Sequence, residues 1–482
     1  ERGTSEKEMT TNPERQTMGA FSKIMAGIRR LRIRMLYNRS FYSKARSLSM
    51  KELASIPNHN FAVDIILRSF YNEQNWSEVI SFSELHPSRN SNHLSSKAES
   101  KLFAQNGFED AKPKINSHQI WDSENLLSNW YQEENRLWFR YPKGWVFWDM
   151  PNEFSLIKTH ESLLNLAMNI LLQPLGIRQQ FELKGARPFG KHAGLAYSGG
   201  VDSTAAAILL PQDTILSYHH RTFPSKLNHE LAERLFDMWE QENGRSILRV
   251  PSNHELIRTS VGMPTGFSTD FAAGVHLVLL SDALDLGTIA FGTPIDNTWL
   301  LKGAKFRDFS ESTYWVRWKK YFSQAGLHLE FPINHISEAG AMKICKKSGY
   351  MDFINSCLRG DGVNGCEKCW KCFNKNGPLG RKIQFDSHEI QTFLSKSPMP
   401  TAQHALWAIQ VQKLEQRVPH LASQLRNPLT WWEGYYPPGL DLIGEHWRAE
   451  IESNTKKFLQ PMVSSAQLEE VDIHPQYSHS AP

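Results

Sequence analysis

The chain has 482 residues, 54 Lys and Arg against 50 Asp and Glu for a formal net charge of +4, and five cysteines. That length supports two or three domains around a large core. Charge alone demands no nucleic-acid partner, no run of about 18 apolar residues offers a transmembrane helix, and cysteines this scarce build no disulfide framework of a secreted domain.

Residues 1–55 are expected to form a basic, flexible arm. From Met18 to Met50 the chain carries Arg29, Arg30, Arg32, Arg34, Arg39, Arg46, Lys23 and Lys44 and no acid. Such a composition resembles a transit peptide or a basic surface helix, and contact with RNA or a membrane surface is the alternative to a solvated arm. The chain opens on Glu1 rather than Met, so the segment is native, a targeting segment or a fusion remnant. Residues 56–185 read as an N-terminal α+β domain, a lid or partner-binding module. Within it the polar stretch Ser88 to Ser100 reads as a loop. Leu137–Tyr141 and Trp145–Trp148 flank Pro142-Lys143-Gly144 and predict a hairpin. Thr159 to Leu172 has apolar residues at helical spacing, and Leu163 to Leu175, the longest apolar candidate, is interrupted by Asn and Gln and suits a buried helix.

Residues 186–380 alternate strand and helix. Strands are predicted at Gly194–Tyr197, Thr214–Tyr218, Ser246–Val250 and Thr288–Gly292, an alternation that argues an α/β fold with a doubly wound parallel sheet. Between the first strand and the helix begun by Thr204 lies Ser198-Gly199-Gly200-Val201-Asp202-Ser203. A strand, a glycine turn and a helix N-terminus aim N–H groups and the positive end of a dipole at an anion. Gly199 and Gly200 admit a phosphate closely, Ser198 and Ser203 offer hydroxyls, and Asp202 suits Mg2+. No Walker sequence occurs. An ordinary strand–turn–helix of small residues is the competing reading.

Four cysteines follow as C-x8-C-x2-C-x2-C: Cys357, Cys366, Cys369 and Cys372. A thiolate quartet suits structural Zn2+, with a redox dithiol or an iron–sulfur cluster as the alternatives. Glycines 360, 362 and 365 suit a tight knuckle, and Cys345 stands apart. Gly292 and Thr293, with Asp296 and Asn297 beyond them, end a strand on the pocket side, where contact with substrate or metal competes with a simple turn. Lys302, Lys305 and Arg307 could neutralise a leaving group. Trp299, Trp315 and Trp318 could stack a purine-like ring, though core packing competes. His219 and His220 could transfer protons or be structural. Residues 381–482 read as a mainly helical C-terminal region, with helices over Thr401–Leu414 and Glu445–Phe458. Its aromatic stretch Trp431 to Pro438 either binds a partner or caps the core, and its last dozen residues are expected to be disordered.

The SGGVDS loop resembles the PP-loop of the ATP pyrophosphatases, the adenine nucleotide alpha hydrolase-like group. With Ser356-Cys357 and the cysteine quartet it is similar to 7-cyano-7-deazaguanine synthase and its larger relatives in antiphage defence. The resemblance spans residues 190–380, including a helix opened by Gly266 to Asp270 and running through Leu286. It departs from the synthase at Leu358, where an aromatic residue stands in that family, and at Thr269-Asp270, which replace arginine and asparagine. It implies a cytoplasmic, ATP-dependent ligase or synthase that adenylates a deazaguanine-like carboxylate, releases pyrophosphate and AMP, and forms an amide or nitrile with a nitrogen nucleophile. ATP, Mg2+ and Zn2+ are the implied cofactors. The nucleotide site would comprise Ser198, Gly199, Gly200, Val201, Asp202, Ser203, Thr204, Tyr218, Gly292 and Thr293. Catalysis would fall to Asp202, Ser198, Lys302 and Lys305, and Lys375 stands where the family has a basic residue after its last cysteine. The alternatives are attachment of a deazapurine-like group to a protein or RNA partner, a non-catalytic nucleotide-binding subunit, or another adenylation such as thiolation. An oligomer is compatible with all of them.

Overall fold

The basic N-terminal segment is helical rather than a flexible arm. Helix α1 spans Pro13–Asn38 and α2 Tyr42–Ser55; they are followed by α3 (Asn60–Asn72), α4 (Trp76–Leu85) and α5 (Arg89–Asp110). The computed structural model describes residues 13–56, 59–110, 112–115, 118–177, 186–222, 227–263, 266–396, 399–462 and 464–473. Residues 1–12 of the expected arm, and most of the last dozen, lie outside these. The chain divides into Glu1–Leu102 and Phe103–Pro482. In the first unit, Ile33, Ala45 and Ile65 bury one apolar seam, and Ile66, Leu67, Val79 and Phe82 another. The stretch Ser88–Ser100, expected as a loop, lies within α5. Leu94, Ala98 and Leu102, four residues apart, share one face and join that second seam.

In the second unit, β1 (Trp130–Glu133), β2 (Arg136–Tyr141) and β3 (Gly144–Asp149) form an antiparallel meander that contains the predicted hairpin. Helix α6 (Glu161–Leu171) follows, then β4 (His192–Ala196), α7 (Val201–Leu209), β5 (Ile215–Arg221), α8 (Glu230–Asn243) and β6 (Ile247–Ser252). Next come α9 (Leu256–Thr259), α10 (Val275–Leu279), β7 (Leu286–Phe291), and the short hairpin β8 (Leu300–Leu301) and β9 (Lys305–Phe306). The remainder is α11 (Thr313–Gln324), β10 (His328–Glu330), α12 (Glu338–Lys347), α13 (His388–Leu394), α14 (Ala402–Val411), α15 (Glu445–Phe458) and α16 (Ala466–Glu469). The helix expected from Gly266 to Leu286 is replaced by a 3-10 turn, Asp270–Gly274, and the single turn of α10. At Gly274 a Cβ would meet the Phe291 ring at 2.8 Å and Ala196 Cβ at 3.1 Å.

One eight-stranded sheet runs β1-β2-β3-β6-β5-β4-β7-β10. Its last five strands are parallel. The chain lays β4, β5 and β6 outward in one direction, then returns to place β7 on the other flank of β4. That reversal falls between β4 and β7, and sheets of this kind bind ligands outside the carboxyl ends of the strands at such a point. Alternation along β4 shows helices on both faces. Gly194 faces α10, with a Cβ there 2.9 Å from Leu277. Tyr197 faces the opposite way, its hydroxyl bonded to Thr204 on α7 at 3.2 Å and receiving the Trp239 indole N–H from α8 at 2.7 Å.

The meander is not a separate domain over 56–185. β3 joins β6 at Trp148 and Ser252, and the Phe147 N–H donates to Asn253 Oδ1 at 2.9 Å. The C-terminal region is helical as expected, yet it packs into the same unit: Asn454 on α15 donates to the Leu209 carbonyl that ends α7, at 3.0 Å. Trp432 and Tyr435, which belong to the aromatic stretch, are buried in the core. No helix among the described residues is long and apolar enough to cross a membrane.

Gly292 shows how tightly β7 meets the loop. A Cβ there would lie 2.8 Å from the Asp202 carbonyl oxygen and from Ser203 N. Gly292→Ala should therefore destabilise by about 1–3 kcal/mol; an unchanged Tm by circular dichroism would show that the two segments part easily. Glu330 on β10 accepts the Gly444 N–H at 3.1 Å, and burial raises its pKa to about 7. A carboxyl raised in the folded state stabilises below the ordinary carboxylate range and loses that contribution as pH rises through about 7. Glu330→Gln should flatten the stability profile over that window, worth roughly 3 kcal/mol, as urea titrations at pH 4.5 to 8 would register.

Candidate functional site

The SGGVDS loop leaves β4 at its carboxyl end, where the strand order reverses. Gly199 takes φ +70°, a left-handed conformation that glycine adopts without strain, and Gly200 caps α7. Ser198 and Ser203 hydroxyls lie 3.0 Å apart, and Ser203 Oγ accepts the Ser198 N–H at 3.2 Å while donating to the Gly200 carbonyl at 3.1 Å. The Val201 N–H donates to Ser356 Oγ at 3.3 Å. Thus the residue before the first cysteine already reaches the loop. Gly292 and Thr293 border it from β7. The Tyr218 ring packs on Phe236 of α8, and its phenol bonds His229 Nδ1. On the side toward β4, β5 pairs only as far as Ser217, which accepts the Tyr197 N–H at 2.8 Å.

The decisive feature is an ion cluster under the loop. Lys375 Nζ donates to Asp202 Oδ1 at 2.9 Å and Oδ2 at 3.2 Å, and lies 2.9 Å from Glu338 Oε2. The Lys375 and Glu338 side chains are each 7% exposed, against 29% for Asp202. Burial opposes the ammonium, yet Asp202 and Glu338 hold its pKa above the usual range. Burial would raise Glu338, but Lys375 and His404 outweigh it and leave that carboxyl below its ordinary value. Burial lifts Asp202, opposed by Lys375 and assisted by Glu338. Asp296 rises furthest, through burial and the Glu338 charge; its Oδ2 accepts the Glu338 N–H at 2.9 Å. His404 donates from Nε2 to the Asn374 carbonyl at 3.0 Å and is pushed by burial to about 4, so it stays neutral. Asp202 gives both oxygens to a lysine, where an Mg2+ contact was expected.

The cysteine knuckle supplies that lysine. Cys357 Sγ lies 3.6 Å from Cys366 Sγ and from Cys369 Sγ, Cys366 and Cys372 Sγ are 4.0 Å apart, and all four fall within 4.8 Å of one another. Four thiolates about 2.3 Å from one ion stand roughly 3.8 Å apart in a tetrahedron, so the quartet could hold a metal ion. The spacings are far from the roughly 2.05 Å of a disulfide. The Gly362 turn has φ +90°, and a Cβ at Gly365 would sit 3.1 Å from Cys372 Sγ. From Cys372 the chain turns as a π-helix, Cys372–Asn376, and it is this turn that delivers Lys375. Cys345 is separate and buried; its thiol donates to the Val201 carbonyl at 3.5 Å, and burial raises its pKa, which suits a structural role.

The lysines favoured for catalysis are placed differently. Lys305, on β9, pairs with Asp472 at 2.8 Å. Lys302 sits in the β8–β9 turn at φ +55°, beside Gly303, which packs on Thr401. Arg307 donates to the Thr298 carbonyl at 2.8 Å. Trp299, Trp315 and Trp318 are buried in the core. The cation brought to Asp202 is thus Lys375. Glu338 and His404 were missed by sequence reasoning. The only local signal for Glu338 is its place after Ser337, which caps α12 by accepting the Gly340 N–H at 3.0 Å.

A family model described as a family of unknown function (DUF6395) matches residues 317–472. The matched part contains Glu338, the four cysteines, Lys375 and His404, and excludes the glycine loop. No curated protein and no solved structure matches the chain.

The purified protein should carry one equivalent of metal by mass spectrometry. Cys372→Ser, at the root of the π turn, should lose it and drop the Tm by several degrees. Full metal occupancy and unchanged melting in that variant would show that the quartet is not a binding site.

Proposed function

We propose that this protein is an ATP-dependent adenylating enzyme of the PP-loop type, cytoplasmic, with zinc in the cysteine quartet. The observation that carries it is the meeting of Lys375 with Asp202 under a glycine loop at the sheet's switch point. ATP would rest its phosphates on the N–H groups and hydroxyls of Ser198 to Ser203, reinforced by the N-terminal dipole of α7. The adenine would lie along the carboxyl end of β5, where main-chain groups past Ser217 are no longer paired to β4. MgATP is the substrate, and zinc supplies stability to the knuckle rather than a step in the reaction.

A substrate carboxylate oxygen attacks the α-phosphorus, the bond to the bridging oxygen breaks, and pyrophosphate leaves. Negative charge grows on the α-phosphate oxygens, and Lys375 is the buried cation nearest the loop to meet it. Its tie to Glu338 keeps it protonated and aimed. A nitrogen nucleophile then attacks the acyl carbon, AMP departs, and the nitrogen gives up a proton; ammonia yields an amide. A second adenylation, on the amide oxygen, followed by loss of AMP and a proton gives a nitrile. A second reading, transfer to an amine of a protein or RNA, is favoured by the helical unit. There α1 exposes Met25, Ile28, Leu31 and Met35 among its arginines.

Incubation with ATP, Mg2+ and 7-carboxy-7-deazaguanine, with and without ammonium, should produce AMP and pyrophosphate that depend on the carboxylate. Asp202→Ala and Lys375→Met should each lower AMP formation by at least about 100-fold. Because removing one partner of a buried ion cluster can cost about 3–5 kcal/mol, the Asp202→Asn/Glu338→Gln/Lys375→Met triple variant, which neutralises all three groups, serves as a control. It should recover stability and stay inactive. Wild-type activity in the triple variant would refute the assignment. A new small molecule, as opposed to mass added to a macromolecule, separates the two readings.

A further inference from the structure

Helix α1 has two apolar faces, and the fold of its own unit uses one of them. Ile33 is buried with Ala45 of α2 and Ile65 of α3, and Leu36 and Tyr37 join the same seam. The Tyr37 phenol accepts the Asn72 amide of α3 at 2.8 Å. At about 100° per residue, Ile33, Leu36 and Tyr37 share one arc of the helix. Met25, Ile28, Leu31 and Met35 share another, centred roughly 135° away, and they are between 41% and 61% exposed. Phe41, in the turn between α1 and α2, is exposed as well. Single exposed apolar side chains are ordinary. Five from one helix and its turn, on a helix already anchored by its other face, form a stripe that the fold does not require.

The charge around this stripe is of one sign. Arg29, Arg30, Arg32, Arg34, Arg39 and Lys44 are exposed, and no acid occurs from Met18 to Met50. Arg30 donates to His59 Nε2 at 2.8 Å, and Arg34 lies over the Phe61 ring at 5.4 Å. Arg29, Arg32 and Arg39 have no carboxylate partner among the described residues. Arg46, half-buried on α2, is paired with Glu73 just past α3. The unit therefore holds a carboxylate for the cation it folds around and none for those beside the stripe.

A partner for this face must be anionic and must also take up aliphatic side chains. RNA meets the first demand only: its bases are read by stacking on aromatic or guanidinium planes, and none of the four stripe residues of α1 is aromatic. A protein groove that closes round a basic amphipathic helix would find one side of α1 already occupied by α2 and α3. A flat partner has no such conflict. At a bilayer surface, apolar side chains enter the boundary between head groups and acyl chains, while arginines lay their stems along it and keep their guanidinium groups among the phosphates.

We infer that α1 is a membrane-surface helix that holds this protein against an anionic phospholipid bilayer. Met25, Ile28, Leu31 and Met35 enter below the head groups, and Arg29, Arg32 and Arg39 meet lipid phosphates. The attachment is peripheral, made by one face of a helix that lies in the plane of the surface. It asks nothing of the glycine loop, so it stands or falls apart from adenylation.

Co-sedimentation of the full chain with lipid vesicles tests this. The protein should pellet with vesicles of equal parts phosphatidylglycerol and phosphatidylcholine, but not with phosphatidylcholine alone. Binding should fall as salt rises from about 0.1 M to about 0.5 M. Arg29→Gln/Arg32→Gln/Arg39→Gln should weaken it by about 100-fold, at about 5-fold for each arginine near the surface. Ile28→Gln/Leu31→Gln keeps every charge and a good helix former at both positions; it should weaken binding by at least about 10-fold. All five positions are exposed, so both variants should keep the wild-type circular dichroism and melting, which separates lost binding from lost fold. Undiminished vesicle binding by either variant would overturn the inference. So would binding to polyuridylate without binding to anionic vesicles, which would make this an RNA face. Binding to neither would overturn it too and assign the stripe to a protein.

Discussion

One ammonium buried between two carboxylates sets the layout of the functional end of this sheet. Lys375 comes from the cysteine knuckle, Asp202 from the first turn of α7 and Glu338 from the first turn of α12. Taking such charges out of water costs several kcal/mol per ion unless all partners arrive together. Both carboxylates also sit where helix dipoles favour negative charge. The triad therefore acts as a lock: two helices and the knuckle must be in place at once, or the buried charges are left uncompensated. Ser356 on Val201, and Cys345 on the Val201 carbonyl, add further ties from the second half of the chain to the same loop.

The lock ties a cysteine knuckle far along the chain to the glycine loop through Lys375. The quartet gathers a segment of irregular backbone, the π turn leaves it at Cys372, and Lys375 lies on that turn. Two glycines near the loop are small because of close approach. Gly292 abuts the loop backbone itself, and Gly274 lies against the strand that feeds it.

Much of this architecture was legible in the sequence, because local periodicity carries strands and hairpins. The four parallel strands, the β2–β3 hairpin, the glycine loop and the cysteine spacing all fall within a few residues of their predicted places. β10, only three residues long, gave no such signal. What could not be read depends on contacts between distant segments. Arginines made α1 look like a solvated arm, although Ile33, Leu36 and Tyr37 mark a buried face. Serines and asparagines disguised α5, whose apolar residues are sparse but evenly spaced. Lys302 and Lys305 looked as suitable as Lys375, since nothing local tells a lysine whether Asp472 or Asp202 awaits it. Glu338 carries no local mark beyond opening a helix after Ser337. The hairpin was assigned to its own domain because strand order along a chain does not reveal which sheet edge it will cover.

The π turn from Cys372 to Asn376 has a consequence for descent. A π turn holds one more residue per turn than an α turn, so each residue advances through a smaller angle. Deleting a single residue between Cys372 and Lys375 would convert it to ordinary helix and swing the lysine to another side, with every cysteine still in register. Chains related to this one could thus keep the entire knuckle and lose the ammonium that meets Asp202 and Glu338. Kinship in the cysteines and kinship in the ion cluster are separable, and the residues between Cys372 and Asn376 are where the two lineages would part.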